Sequence, residues 1–243
     1  MPSSDSSFPI MPGATLPSAP SDALSRRERE RQMRRRAMLD AARAVFAEKG
    51  YARATLDEIA ERAEFGKGTI YNYFDGGKEQ ILYAIFDQLY AEITGIMAEA
   101  FDTQSDPERS LRDRYHDLVV RGFTFYTERE NLLIILQKEA YRMAFSDESD
   151  RARFFHAWHE QILDTARPAI ESAAANGEIR DIPTEAVAHM LIENLNGLLV
   201  HRSLTRRSHE TLQDCTGAPD LFDNPQQAAD FLTGMLFDGL TTP

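Results

Sequence analysis

The sequence predicts an all-α protein, and three observations carry that prediction. Apolar residues recur at helical spacing in almost every segment from Arg26 onward. Helix-start signatures stand where such segments begin: Thr55 with Glu58 three residues later, and Asn224-Pro225-Gln226-Gln227. No segment reads as a convincing strand, and there is no internal repeat.

Residues 1–25 hold five of the eleven prolines and seven serines without usable periodicity, the composition of a disordered tail. The text then changes to "RRERERQMRRR", seven arginines in eleven residues, and continues into a first helix carrying Leu39, Ala42 and Phe46, stopped at Gly50. A short second helix, "TLDEIAERA", is capped by Thr55 and Glu58, and its stripe is Leu56, Ile59, Ala60 and Ala63. The third, "GTIYNYF", turns Ile70 and Phe74 inward and gathers Thr69, Asn72 and Tyr73 on another face. Two short helices joined by a tight turn, the second showing polar and aromatic side chains, make a helix-turn-helix.

A long fourth helix from Lys78 carries Leu82, Ile85, Leu89, Ile93 and Ile96 on one stripe. Pro107 is expected to open a helix to about Glu128. Further helices are expected over Asn131–Phe145 and Glu148–Ala175, the latter ended by Asn176-Gly177. Asp181 and Pro183 introduce one ending near Arg206. Residues 208–223 read as a loop before a final helix with Ala228, Phe231, Leu232 and Met235.

The chain has 243 residues, 42% apolar, enough for one sizeable core and a small accessory domain. No apolar run approaches the roughly 18 residues that span a membrane, no secretory signal is evident, and the single cysteine, Cys215, fits a reducing cytoplasm. The net charge of −12 alone argues against nucleic acid, but residues 26–78 hold thirteen Lys and Arg against nine Asp and Glu. A basic head on an acidic body is the asymmetry of a DNA-contacting protein.

The stretch "EFGKGTIYNYF" contains Gly-Lys-Gly-Thr, which points to phosphate. A nucleotide-binding loop is excluded: Lys67 is followed by Gly68 rather than Ser or Thr, Glu61 occupies the first glycine position, and a helix precedes it. A helix start beside a DNA backbone fits better. Lys67 adds a point charge, Tyr71 and Tyr73 offer hydroxyls to phosphates, and Thr69 and Asn72 reach base edges.

From about Gln32 to Phe86 the chain resembles the TetR-type helix-turn-helix domain, through "AARAVFAEKGYARATLDEIAERAEFGKGTIYNYFDGGKEQIL". The resemblance covers about a quarter of the chain and implies a three-helix DNA-binding domain within 32–93 (motif 55–74). An effector-binding and dimerisation domain over 94–243 would follow. It implies that Thr55 bonds a backbone phosphate, that Lys67, Gly68, Thr69, Tyr71, Asn72 and Tyr73 form the recognition set, and that Lys78 clamps a further phosphate. Three positions depart from the pattern. Glu64 stands for the usual glycine ending the second helix, Gly66 for a serine-like cap, and "DGGK" is one residue longer than usual.

The arginine run reads either as an arm along the DNA backbone or in a minor groove, or as a solvated helical extension with pairs such as Glu30–Arg34. In the body, Leu191, Leu195, Leu198, Phe231 and Met235 are candidates for a homodimer interface, with Gly197 permitting close approach. Tyr115, Phe123, Tyr126, Met143, Phe155 and Trp158 are candidates for an effector pocket, or plain core. His156 and His159 alone make no metal site, no cofactor is implied, and no catalytic signature stands out.

The expected function is a ligand-responsive DNA-binding regulator, most simply a cytoplasmic repressor, with a double-stranded operator, a small-molecule effector and a second copy of itself as partners. An all-α enzyme or carrier without specific DNA binding is the alternative. A sequence-blind binder acting through the arginines is a third reading.

Overall fold

In a computed structural model, residues 25–145, 149–180, 182–211 and 224–239 are described. Among them the chain is helical throughout: α1 (Arg26–Lys49), α2 (Leu56–Arg62), α3 (Lys67–Tyr73), α4 (Gly77–Ala100), α5 (Leu111–Glu128), α6 (Glu130–Ala144), α7 (Ser149–Ala175), α8 (Thr184–Thr211) and α9 (Pro225–Thr233). A π-helical turn, Gly234–Asp238, continues α9. The expected tail up to residue 24, the stretch 212–223 and Cys215 lie outside the described residues.

The small head is α1–α3. Helix α1 buries Met38, Leu39, Ala42, Val45 and Phe46 against α2 and α4, and Ile59, Ile70 and Phe74 close the same core. The body is built around α5, which α4, α6, α7, α8 and α9 all touch. Helix α4 belongs to both parts: Leu82 and Ile85 are buried near its start, Met97 and Ala100 at its end. Helix α6 also touches α1, a second junction between body and head.

One open reading is decided and two element boundaries differ from the sequence expectation. Helix α1 begins at Arg26, so the arginine run is helical, as in the extension reading; Ser25 and Glu28 start it with a reciprocal capping box. Helix α5 begins at Leu111, not near Pro107. Ser110 is its cap, and the buried Arg114 folds back onto the carbonyls of Asp102, Asp106 and Arg109, fixing the preceding turn. Helix α8 runs five residues past Arg206.

Candidate nucleic-acid interface

Helix α2 is fixed at its start by the expected reciprocal cap: Glu58 N donates to Thr55 Oγ1 (3.3 Å) and Thr55 N to Glu58 Oε2 (3.1 Å). Lys49 at the end of α1 reaches the same carboxylate at 2.5 Å, tying the first helix to the second. Thr55 is exposed at this corner.

The end of α2 is a complete Schellman motif. Phe65 N donates to Ala60 O (2.9 Å) and Glu64 N to Glu61 O (3.1 Å). Its left-handed residue is Glu64, at φ 59°, the one non-glycine with positive φ among the described residues. The departure from glycine therefore leaves the turn geometry intact and loads it with strain. The same hydrogen-bond pattern ends α7, where Glu178 N reaches Ala173 O and Gly177 N reaches Ala174 O, with Gly177 at φ 71°. Glu64→Gly is accordingly expected to raise stability by about 0.5–1 kcal/mol, the left-handed penalty less the glycine's greater unfolded-state entropy. Urea denaturation reads it as a higher midpoint at unchanged slope.

Helix α3 starts at Gly66 without a side-chain cap. Ile70 and Phe74 are buried, as their spacing requires, while Lys67, Gly68, Tyr71 and Asn72 are exposed and Thr69 and Tyr73 half-buried. Four of the expected recognition residues, Lys67, Gly68, Tyr71 and Asn72, are thus open to solvent, while Thr69 and Tyr73 lie at the edges of the packed side. Lys67 is not idle there: its Nζ is 2.9 Å from Asp57 Oδ2 of α2, a pair that raises the Lys67 pKa and aligns α3 on α2. Asp57 was not legible as a functional position, since only the tertiary turn brings residues ten apart into contact.

Lys78 behaves differently from the implied phosphate clamp. Its ammonium donates to the carbonyls of Tyr51 (2.9 Å), Ala54 (2.8 Å) and Ala52 (3.4 Å) and lies 4.6 Å from the Tyr51 ring centroid. It fixes the α1–α2 loop, and so the corner that carries Thr55. The additional residue before it is absorbed by Gly77, buried at φ 64° with its N–H on Phe74 O.

The arginine run is helical and exposed, with Arg26 paired to Glu30 at 3.0 Å instead of Glu30 to Arg34. A helix is about 10 Å wide and a B-form minor groove about 6 Å, so in this conformation the run is too wide to enter that groove.

In the body, the aromatic candidates are core in this state. Tyr115 is fully buried with its hydroxyl on Leu191 O at 3.0 Å, and burial pushes its pKa up. Phe123 lies under the Arg202 guanidinium at 5.4 Å, Tyr126 shares a hydrogen bond with Ser203 (3.0 Å), and Met143 is buried. Trp158 of α7 stacks on Tyr90 of α4, centroids 4.2 Å apart, with Phe86 at 5.7 Å. Phe155 lies in α7, its side chain outside the described ones. A cleft of about 490 Å³ opens elsewhere, between the start of α5 and the end of α7, lined by Arg109, Ser110, Arg114, Ser172, Asn176 and Glu178 among others; none of the aromatic candidates lines it.

The interface leucines also divide. Leu191, Leu195 and Leu198 are buried by the protomer itself, Leu195 against Gly122 of α5, so a second copy cannot be what covers them. Met190, Asn194, Gly197, His201 and Leu204 form the outward stripe of α8; Phe231 of α9 is exposed and Met235 half-buried. Among the described residues, no group of three or more His, Cys, Asp or Glu is arranged to hold a metal, and no helix is long and apolar enough to cross a membrane.

Comparison with known proteins agrees with this geometry. The family described as bacterial regulatory proteins, tetR family, matches residues 38–85. The transcriptional repressor AcnR of Corynebacterium efficiens is 31% identical over 182 residues, 74% of this chain and 87% of AcnR. The transcriptional repressor NicS of Pseudomonas putida is 26% identical over 158 residues, 65% of this chain and 71% of NicS. The structure of the transcriptional regulator FadR from Bacillus subtilis, in complex with stearoyl-CoA, superposes with a TM-score of 0.65 over 85% of this chain and 99% of FadR, at 19% identity.

Proposed function

The chain belongs to the tetR family of bacterial regulatory proteins, and from that premise we propose that it is a transcriptional repressor that binds a palindromic operator as a homodimer and is released by a small molecule. The observation that carries the reading is the α2–turn–α3 unit. Its inner residues Ile70 and Phe74 are fully packed, while Lys67, Gly68, Tyr71 and Asn72 face outward on a helix that fits a major groove. In it, Asn72 and Thr69 read base edges, and Thr55, Lys67, Gly68, Tyr71 and Tyr73 hold phosphates. Lys78 acts by holding the Thr55 corner, and reaches a phosphate only if DNA draws it off its carbonyls. No catalytic role is proposed, and the place of action is the cytoplasm.

The homodimer is proposed to form across the outward stripe of α8 with Phe231 and Met235, a two-fold contact that sets the spacing of the two α3 helices. The effector is proposed to be an apolar molecule entering the aromatic core where α4 meets α7, with Tyr115, Phe123, Tyr126 and Met143 behind it. Helix α4, about 36 Å long, starts beside Lys78 at the head and carries Tyr90 in the body, where burial pushes the Tyr90 pKa up to about 12. A ligand that parts Tyr90 from Trp158 shifts α4, and with it the head, lowering operator affinity by a coupling of about 1–3 kcal/mol.

Trp158 is the chain's only tryptophan. Binding of a releasing ligand is therefore expected to change its fluorescence in the same concentration range that frees DNA; release without any change in Trp158 emission would remove α4–α7 as the entry. The function itself is tested by selecting bound duplexes from a randomised pool. A palindromic winner preferred over scrambled DNA by roughly 10³-fold or more supports the repressor. Equal binding to both, lost on adding salt, contradicts it.

A further inference from the structure

Residues Arg26–Ala37 of α1 project as a free helix of about three turns, roughly 18 Å, before the first buried residue, Met38. All twelve are exposed. The segment has no apolar face: its one large apolar side chain, Met33, is 72% exposed. Nothing in the protomer therefore requires this helix for the core. Its composition also does not suit a lipid surface, which needs an apolar side to bury.

The charges are sorted around the helix. Arg27, Arg31, Arg34 and Arg35 stand at i, i+4, i+7 and i+8, which places them on one face. The two glutamates are otherwise engaged: Glu28 accepts from the Ser25 backbone and Glu30 pairs with Arg26. Arg36 faces Asp40 at 3.8 Å. Among the described residues, Arg27, Arg29, Arg31 and Arg34 have no carboxylate within ion-pair distance.

The arginine face also has a definite address. Arg31 lies 5.8 Å from the Tyr73 ring centroid and Arg35 5.2 Å from that of Phe74, so the face begins against the C-terminal end of α3. Arg34 lies between these two along the helix, and Arg27 carries the face one turn further from the head. One carboxylate of α4, Asp87, feels the charge of Arg35, which partly offsets the burial that pushes the Asp87 carboxyl up.

We infer that the Arg27–Arg31–Arg34–Arg35 face is a second DNA contact, lying along the phosphodiester backbone just outside the half-site read by α3. This rests on the repressor reading above. Its length reaches about five base pairs beyond that half-site. The contact supplies affinity and salt dependence without sequence information, because phosphates are the same at every step. Stacking of Arg31 and Arg35 on the α3 aromatics fixes the direction of the helix; Arg27 and Arg34 add charge only.

The test uses the full chain, the selected operator and a scrambled duplex, with affinity followed across a salt series. Arg27→Gln with Arg34→Gln removes two charges per protomer that no aromatic ring engages, so the fold is expected to survive, as thermal melting verifies. The slope of log affinity against log salt should become shallower by about 3–4 per dimer. The operator-to-scrambled ratio should stay the same. Wild type should gain affinity when the operator duplex is lengthened by six base pairs at each end, and the variant should not. Arg27→Lys with Arg34→Lys should restore the slope. An unchanged slope and an unchanged length dependence in a folded variant overturn the inference. If wild type itself shows no operator preference, the repressor reading fails instead, and the two failures are distinct.

Discussion

Glu130→Ala is expected to lower stability by about 3 kcal/mol, the lower end of the range for removing one member of a buried ion pair, because Arg202 is buried while Glu130 is partly exposed. Glu130 opens α6, and its carboxylate accepts from Arg202 (3.0 Å), Arg206 (3.1 Å) and Ser203 (2.9 Å), the last shared with the Tyr126 hydroxyl. The Arg202 side chain is only 7% exposed and lies over Phe123. Without the carboxylate its charge stays in the core of α5, α6 and α8 without that neutralising group. The double variant with Arg202→Met should recover much of the loss, since replacing a buried pair by apolar packing is often neutral. Urea denaturation of the four proteins of this cycle measures both effects.

The same network sets a pH dependence. Burial pushes the Glu130 carboxyl up, but the hydrogen bonds of Ser203 and Arg202 and the charges of Arg202 and Arg206 outweigh it, and the net direction is down. A carboxyl lowered on folding contributes stability that is fully present above its unfolded value. That contribution disappears as pH falls through the folded one. The deficit of Glu130→Ala should therefore narrow on acidification below the ordinary carboxylate range.

Gly77→Ala has the second large effect, and it falls on DNA binding as well as stability. At φ 64° a side chain carries a left-handed penalty of about 1–2 kcal/mol, partly offset by reduced unfolded-state entropy. The added Cβ would also stand 3.3 Å from Leu56 Cδ1 and 3.7 Å from Tyr71 Cε1. Leu56 of α2 must give by a few tenths of an ångström, and the backbone strain falls at the junction of α3 and α4, beside the recognition helix. A net loss of about 1–2 kcal/mol is expected, with operator affinity falling by roughly tenfold. Gly76→Ala meets Gln80 Cβ at 3.2 Å but, at φ −75°, carries no left-handed penalty; it is the control for that penalty and should cost less on both counts.

What could be read from the sequence was local. The Thr55–Glu58 capping box, the inward Ile70 and Phe74, and the Asn224 cap of α9 are all set by residues within one or two turns, and each stands as its spacing indicates. The start of α1 is marked locally as well, by the Ser25 and Glu28 capping signature that precedes the arginines. What stayed hidden depends on distant partners. Arg114 sets the start of α5 by folding back on three carbonyls. Leu191, Leu195 and Leu198 share a periodicity with a dimer face, and only the packing of α5 against α8 assigns them to the protomer's core. Lys67 and Lys78 look alike as basic residues, yet one meets a carboxylate and the other three carbonyls.

On α3, Thr69 and Asn72 are proposed to read bases, while Lys67 and the residues around them hold phosphates. This division of roles is tested most directly by comparing Asn72→Ala and Lys67→Ala on the selected operator and on scrambled DNA at one fixed salt concentration. Asn72→Ala should weaken operator binding by about 1–3 kcal/mol and leave scrambled binding unchanged, collapsing the ratio. Lys67→Ala should weaken both duplexes alike. An operator-to-scrambled ratio that survives Asn72→Ala intact would contradict the assignment of base reading to this face of α3.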